Sequence, residues 1–128
     1  MATLKDVRTI CGDLPETEER TSRGRAMWHV GRGHAFVWER PYTKADVGRE
    51  GEPPPGDLLA VAVADEGEKK ALIRAEPDWF FTISHFDGHP MLLLRLDAVP
   101  DDRLREIVVE SWYTNAPADI AAAHPDLA

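Results

Sequence analysis

The sequence lacks the features that mark secreted, disulfide-bonded and membrane proteins. It contains one cysteine, Cys11, which excludes an internal disulfide and is compatible with a reducing compartment. No apolar run approaches about 18 residues, so we expect no membrane-spanning helix. The N-terminal segment has neither the apolar centre nor the small-residue cleavage site of a signal peptide, and no repeats or low-complexity tracts occur. These absences predict a cytoplasmic protein.

The composition that is present indicates one folded domain with an acidic surface. Hydrophobic residues make up 43% of the 128 residues and include four tryptophans, which is enough for one core. We therefore predict a single domain over residues 1–128. The net charge of −8 repels polyanions and anionic membranes at long range, so we expect no membrane partner. The expected assembly state is a monomer.

Apolar spacing predicts three main helices. In residues 3–12 the apolar positions recur every three or four residues and place Cys11 on the buried side, where its thiol is predicted to be inert. The second helix, over residues 65–75, begins with the spacing of a capping box. The third covers residues 101–115 and has the clearest apolar stripe. One more short turn is predicted over residues 119–123.

Aromatic and β-branched runs predict five strands. They cover residues 26–30, 35–39, 58–64, 79–83 and 91–96. The last two form a hairpin whose turn contains Asp87 and Gly88, a dipeptide that favours tight turns. The first two join at a glycine turn around Arg32. Residues 41–57 contain three consecutive prolines and are predicted to be an exposed loop, and residues 16–19 to be an acidic link.

The order of these elements predicts an α+β fold. It is a two-layer sandwich with a mostly antiparallel five-stranded sheet and helices packed on one face. The strand over residues 58–64 alternates large side chains with alanines. Because small side chains allow close approach, the alanine side is predicted to accept a helix.

Five short motifs are spread over residues 3–120. They are Gly24–Phe36, Trp38–Pro41, Glu68–Leu72, His85–Pro90, and Trp112 with Ala116 and Pro117. These motifs resemble the MmcQ/YjbR family, whose members have a fold similar to that of the frataxin homologue CyaY. The resemblance implies a CyaY-like fold with the order α-β-β-β-α-β-β-α. The family is commonly labelled DNA-binding, on a proposed double-wing arrangement of hairpins, so the resemblance also implies contact with duplex DNA.

Two positions depart from the family pattern. Ala26 stands where many relatives have proline, and Ala118 stands where relatives usually have lysine or arginine, which removes a positive charge. The family defines no catalytic residue that transfers to this chain. The chain also has no GxSxG, HExxH or phosphate-binding loop motif, so we predict no enzymatic activity and no cofactor.

A basic segment is the main sequence argument for DNA binding. Residues 20–49 hold seven basic residues against two acidic ones. A wing with Arg32 at its tip is predicted to enter a groove while neighbouring cations contact phosphates. The predicted contacts are Arg23, Arg25, Arg32, Arg40 and Lys44. In the alternative interpretation this segment is a solvated edge whose arginines pair with Glu16, Glu18 and Glu19, because the acidic remainder of the chain opposes phosphate binding.

The second hypothesis is a protein- or small-ligand-binding module that uses the aromatic sheet and the 41–57 loop. Its predicted pocket residues are Trp38, His85 and Asp87. His85, Asp87 and His89 also alternate along a turn, and such side chains are possible ligands for a divalent metal. The turn itself explains Asp87, and a structural hydrogen bond explains His85, so we predict no metal site.

Overall fold

The protein is built on one antiparallel sheet. The structure, a computed structural model, describes residues 2–127, which form five helices, six strands and a 3₁₀ turn at Ser84–Phe86. The helices are α1 (Leu4–Gly12), α2 (Lys44–Glu50), α3 (Glu66–Ala75), α4 (Asp101–Asn115) and α5 (Ala118–Ala123). The strands are β1 (Thr17–Ser22), β2 (Arg25–Val30), β3 (Ala35–Glu39), β4 (Leu58–Ala62), β5 (Phe80–Phe81) and β6 (Met91–Arg95). No helix within residues 2–127 is long and apolar enough to cross a membrane.

The strands lie in the order β1-β2-β3-β4-β6-β5, and every neighbouring pair is antiparallel. β1 and β5 are therefore the two edge strands. The register of β2 against β3 shifts between Trp28 and His29, which is the mark of a β-bulge. The β1–β2 ladder is continuous over all six residues of each strand. The first three strands are two consecutive hairpins, β1–β2 and β2–β3, at one side of the sheet.

Polar caps set where the first three helices begin. The Thr3 hydroxyl accepts a hydrogen bond from the backbone N–H of Asp6, whose carboxylate accepts from the Thr3 N–H in return. Thr43 and Asp46 make the same reciprocal pair at α2. Asp65 caps α3 by accepting from a backbone N–H three residues later. These bonds satisfy N–H groups that have no partner inside the helix.

The main core lies between one face of the sheet and helices α1, α3 and α4. Val7 and Cys11 of α1 are buried there, as is Trp112 of α4, whose indole Nε1 donates to the Thr17 hydroxyl at 3.0 Å. The sheet residues of β4 and β6 on this side are Leu59, Val61, Leu92 and Leu94. Burying each such side chain stabilises the fold by roughly 1.5–3 kcal/mol.

The opposite face of β4 and β6 carries a smaller apolar cluster. Ala60 and Leu93 pack there with Ile83 and Phe86 from the 3₁₀ region. The prediction of a helix on the alanine side is therefore wrong, since α1 and α4 pack on the side of the large residues. The three helices predicted from the sequence, α1, α3 and α4, do lie on one face as expected, and the 3₁₀ region adds apolar residues to the cluster on the other face.

The sheet has six strands, which corrects the predicted five. The segment that contains the predicted acidic link forms β1, because Arg23 and Gly24 make a two-residue turn with φ of 52° and 77°. Two consecutive positive φ angles match the hairpin turn that suits the twist of paired strands. The first strand of the predicted 79–96 hairpin is also shorter than expected. Only Phe80 and Phe81 pair with β6, and the connection contains the 3₁₀ turn.

The predicted 41–57 loop contains the helix α2, because the Thr43–Asp46 capping box outweighs the local glycines. The helices predicted over 3–12, 65–75 and 101–115 are confirmed to within a residue or two, and the α+β class is confirmed with them. The specific likeness to the CyaY fold stays a prediction.

Candidate nucleic-acid interface

The outer face of β1, β2 and β3 is open to solvent. Cross-strand pairing brings Arg20, Met27 and Trp38 into one row across the three strands. Arg20 is exposed, and Met27 and Trp38 are half-buried. Pairing of Trp38 with Ala60 continues the row into the second apolar cluster. This face therefore presents a cation beside an aromatic and a thioether side chain.

The predicted wing tip, Arg32, and the predicted phosphate contact Arg23 lie at opposite ends of β2. Arg23 occupies the β1–β2 turn and Arg32 the β2–β3 turn, and both are exposed. The five steps from Arg25 to Val30 span about 16 Å at about 3.3 Å per residue. Neither Arg23 nor Arg32 has an ion-pair partner among residues 2–127. Both guanidinium groups are available for an external anion.

Arg25 and Arg40, also predicted as phosphate contacts, are paired with acids. Arg25 Nη1 lies 3.2 Å from Glu39 Oε2, but 52% of the Arg25 side chain is exposed. The Glu39 side chain is only 20% exposed and also accepts from the Ala26 N–H at 3.4 Å, so its carboxylate keeps one partner if Arg25 turns toward solvent. Arg40 is different, because its side chain is 15% exposed and its Nη1 donates to Asp46 Oδ2 at 2.8 Å. Its guanidinium also lies 5.6 Å from the Phe86 ring centre.

The carboxylate of Asp46 is built into this arrangement. Burial by itself would raise the pKa of Asp46, but hydrogen bonds from Arg40 and Thr43, together with the Arg40 charge, outweigh it and lower the pKa. Asp46 thus stays ionised and holds Arg40 against the protein. Arg40 acts as a clamp between β3 and α2.

Lys44 is exposed in the first turn of α2. The chain places it near the end of β3, at the same end of the sheet as the Arg23 turn. Four of the five predicted contacts therefore lie at one end, and Arg32 lies at the other. The alternative pairing is found for Glu18, whose Oε1 lies 3.3 Å from Arg20 Nε, whereas Glu19 pairs with Arg8.

The predicted pocket residues line none of the four cavities described within residues 2–127. Trp38 lies half-buried on β3, and His85 and Asp87 are exposed on and after the 3₁₀ turn. These four cavities are lined by residues other than Trp38, His85 and Asp87. Within the same range no three His, Cys, Asp or Glu side chains are grouped as a metal site would require.

Sequence reasoning missed the role of Lys69. Its side chain is 4% exposed, and its ammonium donates to the carbonyls of Phe86 at 2.7 Å and His89 at 3.1 Å. Glu66 Oε1 lies 3.5 Å away. Lys69, which lies sixteen positions before His85, therefore holds the backbone of the His85–Pro90 motif through these two carbonyls. The Glu68–Leu72 motif contains Lys69, but local spacing gives no sign of which carbonyls it would meet.

A groove of about 220 Å³ runs beside the same end of the sheet as Arg25. Its walls include Tyr42, Val47, Pro53 and Pro54. Val47 is 43% exposed, which is unusual for a large apolar residue and is the one such case among residues 2–127. Burial, and the carboxylates of Glu50 and Asp46, raise the pKa of Tyr42, which stays a neutral hydroxyl at this groove.

The sheet, its helical layer and its exposed hairpins define a small α+β protein on one open antiparallel sheet. The family model described as YjbR matches residues 12–114, so the chain belongs to the YjbR family. Uncharacterized proteins of Mycobacterium tuberculosis and Mycobacterium bovis are 44% identical to it over 127 residues, covering 96% of this chain and 95% of each relative.

A crystal structure of a Deinococcus radiodurans protein, described as a DUF419 domain, has the same fold. It superposes with a TM-score of 0.64 at 21% identity and covers 88% of this chain and 78% of that protein. At this identity the likeness concerns the fold alone.

Proposed function

We propose that this YjbR-family protein is a binding protein that contacts duplex DNA through β2 and the two turns that bound it. One observation carries the proposal: Arg23 and Arg32 are exposed at the two ends of β2, without acidic partners among residues 2–127. The major groove of B-DNA is about 12 Å wide. Cations that flank a strand about 16 Å long can therefore reach phosphates on both sides of the groove.

The neighbouring cations take different parts in this proposal. Arg25 is half-exposed and can exchange Glu39 for a phosphate, because Glu39 keeps the hydrogen bond from the Ala26 N–H. Lys44 adds a further exposed cation at the Arg23 end. Arg40 is held by Asp46 and supports the surface without contacting phosphate. The contact set is thus Arg23, Arg25, Arg32 and Lys44.

The small number of contacts makes the binding weak and salt-sensitive. Each neutralised phosphate contributes about −0.9 to the slope of log K against log salt, so three or four contacts give a slope of about −3. The net charge of −8 opposes the approach of a polyanion. We expect dissociation constants of tens of micromolar at low salt, which lies in the range of nonspecific DNA binding.

Fluorescence anisotropy with a labelled 20-base-pair duplex tests the proposal across a salt series. The double change Arg23→Ala with Arg32→Ala should weaken binding about tenfold or more and reduce the salt slope by about 2. Arg74→Ala is the matched control, because Arg74 is an exposed arginine on α3, on the side of the sheet that packs near β5 and β6. No binding at low salt, or equal losses from Arg74→Ala, would sink the proposal.

A second candidate is recognition of a protein segment or small ligand in the Val47 groove. The exposed apolar side chain of Val47 and the cavity of about 220 Å³ favour it. Fragment binding followed by amide chemical shifts is the direct test. Shifts that cluster at Tyr42 and Val47 would support this candidate, and shifts scattered over the surface would reject it.

A further inference from the structure

The edge strand β1 has an unpaired side that is long and accessible. Its six residues pair with β2 without a register shift, and all of them except Thr17 are exposed. Glu16 and Arg23 have φ of 54° and 52°, so the strand is bounded at both ends by left-handed residues. Edge strands of this length can pair with another chain unless a bulge, a proline or charge repulsion prevents it.

The direction of the free peptide groups follows from one hydrogen bond. The N–H of Gly31 donates to the carbonyl of Glu16 at 2.8 Å. In an antiparallel ladder, hydrogen-bonded and non-hydrogen-bonded pairs alternate. The peptide groups of even-numbered residues from Glu16 to Ser22 therefore point to β2, and those of Thr17, Glu19 and Thr21 point away from the sheet.

We propose that the occupant of this edge is a second copy of the chain, paired antiparallel β1 to β1 about a two-fold axis. Two-fold symmetry and outward peptide groups leave three compact registers. Each of the three places one like-charged pair on the axis, because Glu18, Glu19 or Arg20 then faces its own copy, and centring on Glu18 or on Arg20 adds no opposite-charge pair between β1 residues. Centring on Glu19 instead places Glu18 of each copy opposite Arg20 of the other, and it aligns Thr17 with Thr21.

The register centred on Glu19 also makes the most hydrogen bonds. Its three hydrogen-bonded pairs form about six N–H···O bonds, whereas each of the other two registers forms about four. Unlike charges directly opposite on one sheet face stabilise a strand pair, and like charges destabilise it. Charge and hydrogen bonding therefore select the same register.

Arg8, on the helix side of the sheet, offsets the repulsion between the two copies of Glu19. The two Glu19 carboxylates face each other across the axis in this register. Each is already held by Arg8 of its own chain, with Nε to Oε1 at 2.8 Å and Nη2 to Oε2 at 3.2 Å. The axis is thus surrounded by two arginines and two glutamates of alternating sign.

The proposed dimer has one continuous sheet and differs from the monomer expected from the sequence. The contact is a single strand pair, so it is smaller than the roughly 1,200 Å² of a stable interface, and we expect half-dissociation at tens to hundreds of micromolar. The proposal does not depend on DNA binding, because only β1 residues and Arg8 carry it.

Sedimentation velocity without DNA, from about 10 μM to about 1 mM, tests the proposal. The wild-type weight-average mass should rise toward twice that of the chain. Arg20→Glu alone and Glu18→Arg alone should each remain monomeric, since each variant puts like charges opposite in its own dimer. An equimolar mixture of these two variants should associate, because each strand then meets opposite charges on the other. The exchanged double variant E18R/R20E should also dimerise.

Thr21→Pro gives an independent test of the backbone pairing. Its N–H points outward, so the change should remove association and leave the β1–β2 ladder intact. Circular dichroism and thermal melting confirm that each variant is folded. A wild type that is monomeric at about 1 mM, or a mixture of the two charge variants that stays monomeric, overturns the proposal.

Discussion

Removing either member of the Arg40–Asp46 pair should cost substantial stability, although Arg40 lies in the basic segment. The structure assigns Arg40 to the interior of the fold, with its side chain 15% exposed, and leaves only 2% of the Asp46 side chain exposed. Arg40→Ala and Asp46→Asn each remove one side of a short charge-assisted hydrogen bond. If Arg40 were a surface contact for an external ligand, these changes would not alter the stability of the protein in the absence of that ligand.

The expected magnitude follows from the contacts. A hydrogen bond between charged groups contributes about 1.5–3 kcal/mol, and the approach of Arg40 to the Phe86 ring adds about 0.5–1 kcal/mol. Arg40→Ala should therefore lower the free energy of unfolding by about 2–4 kcal/mol. Asp46→Asn should lower it by about 2–3 kcal/mol, because it also weakens the cap on Thr43.

Urea denaturation of the wild type, both single variants and the double variant measures these values at pH 7. The coupling energy between the two sites should be about 1–3 kcal/mol. The pKa of Asp46 is lowered from its ordinary 3.8 in the folded state, so its ionised form stabilises the protein above that value. This stabilisation is lost as the pH falls through the folded pKa, and the gap between wild type and Asp46→Asn should narrow below about pH 4.

Arg32→Ala is the control, since Arg32 is exposed and lacks an ion-pair partner among residues 2–127. It should change the free energy of unfolding by less than about 0.5 kcal/mol. A change of the same small size for Arg40→Ala, or a coupling energy near zero, would refute the clamp. Arg40 would then return to the set of candidate phosphate contacts.

Two further predictions concern buried polar groups. Burial raises the pKa of the Cys11 thiol to about 12, so native protein at pH 8 should not react with a thiol-specific reagent. Protein unfolded in urea should react fully, and rapid labelling of the native protein would contradict the prediction. Lys69→Met leaves the carbonyls of Phe86 and His89 without their donor and should lower the free energy of unfolding by about 2–4 kcal/mol, measured by thermal or urea unfolding. The control Lys70→Met, at an exposed position, should have little effect, and equal effects of the two changes would show that the carbonyls do not depend on Lys69.

Several elements could be predicted because their signals are local. The apolar spacing of residues 101–115 and the cap residue Asp65 each act within a few positions along the chain, and both helices begin where expected. β1 was missed because the sequence of Thr17–Ser22 is polar throughout and its strand character comes from pairing with β2. The Arg23-Gly24 dipeptide, a two-residue turn between two short segments, was the signal that could have revealed it.

The site was less predictable than the fold. The charge count of residues 20–49 is visible in the sequence, but it cannot show that Arg40 turns inward to Asp46. The predicted strand over residues 26–30 already lies between Arg23 and Arg32, but the sequence cannot show that both arginines lack acidic partners among residues 2–127. His85 and Asp87 were predicted as pocket residues because they lie close together in sequence. In the fold both side chains are exposed, and the buried Lys69 binds the neighbouring Phe86 carbonyl.

Capping, turn chemistry and hydrophobic spacing operate over a few neighbouring residues, so the periodic helices, the apolar strands and the motifs that mark the YjbR family could be predicted from the order of the amino acids. The folded arrangement was needed to establish which cations remain available, which strand forms the open edge and which face of the sheet the helices cover. Those features depend on contacts such as Lys69 with Phe86 and Arg8 with Glu19, between residues that are distant in the chain. The scaffold can therefore be predicted from local sequence, whereas the candidate binding surfaces depend on how distant charges and strands pair.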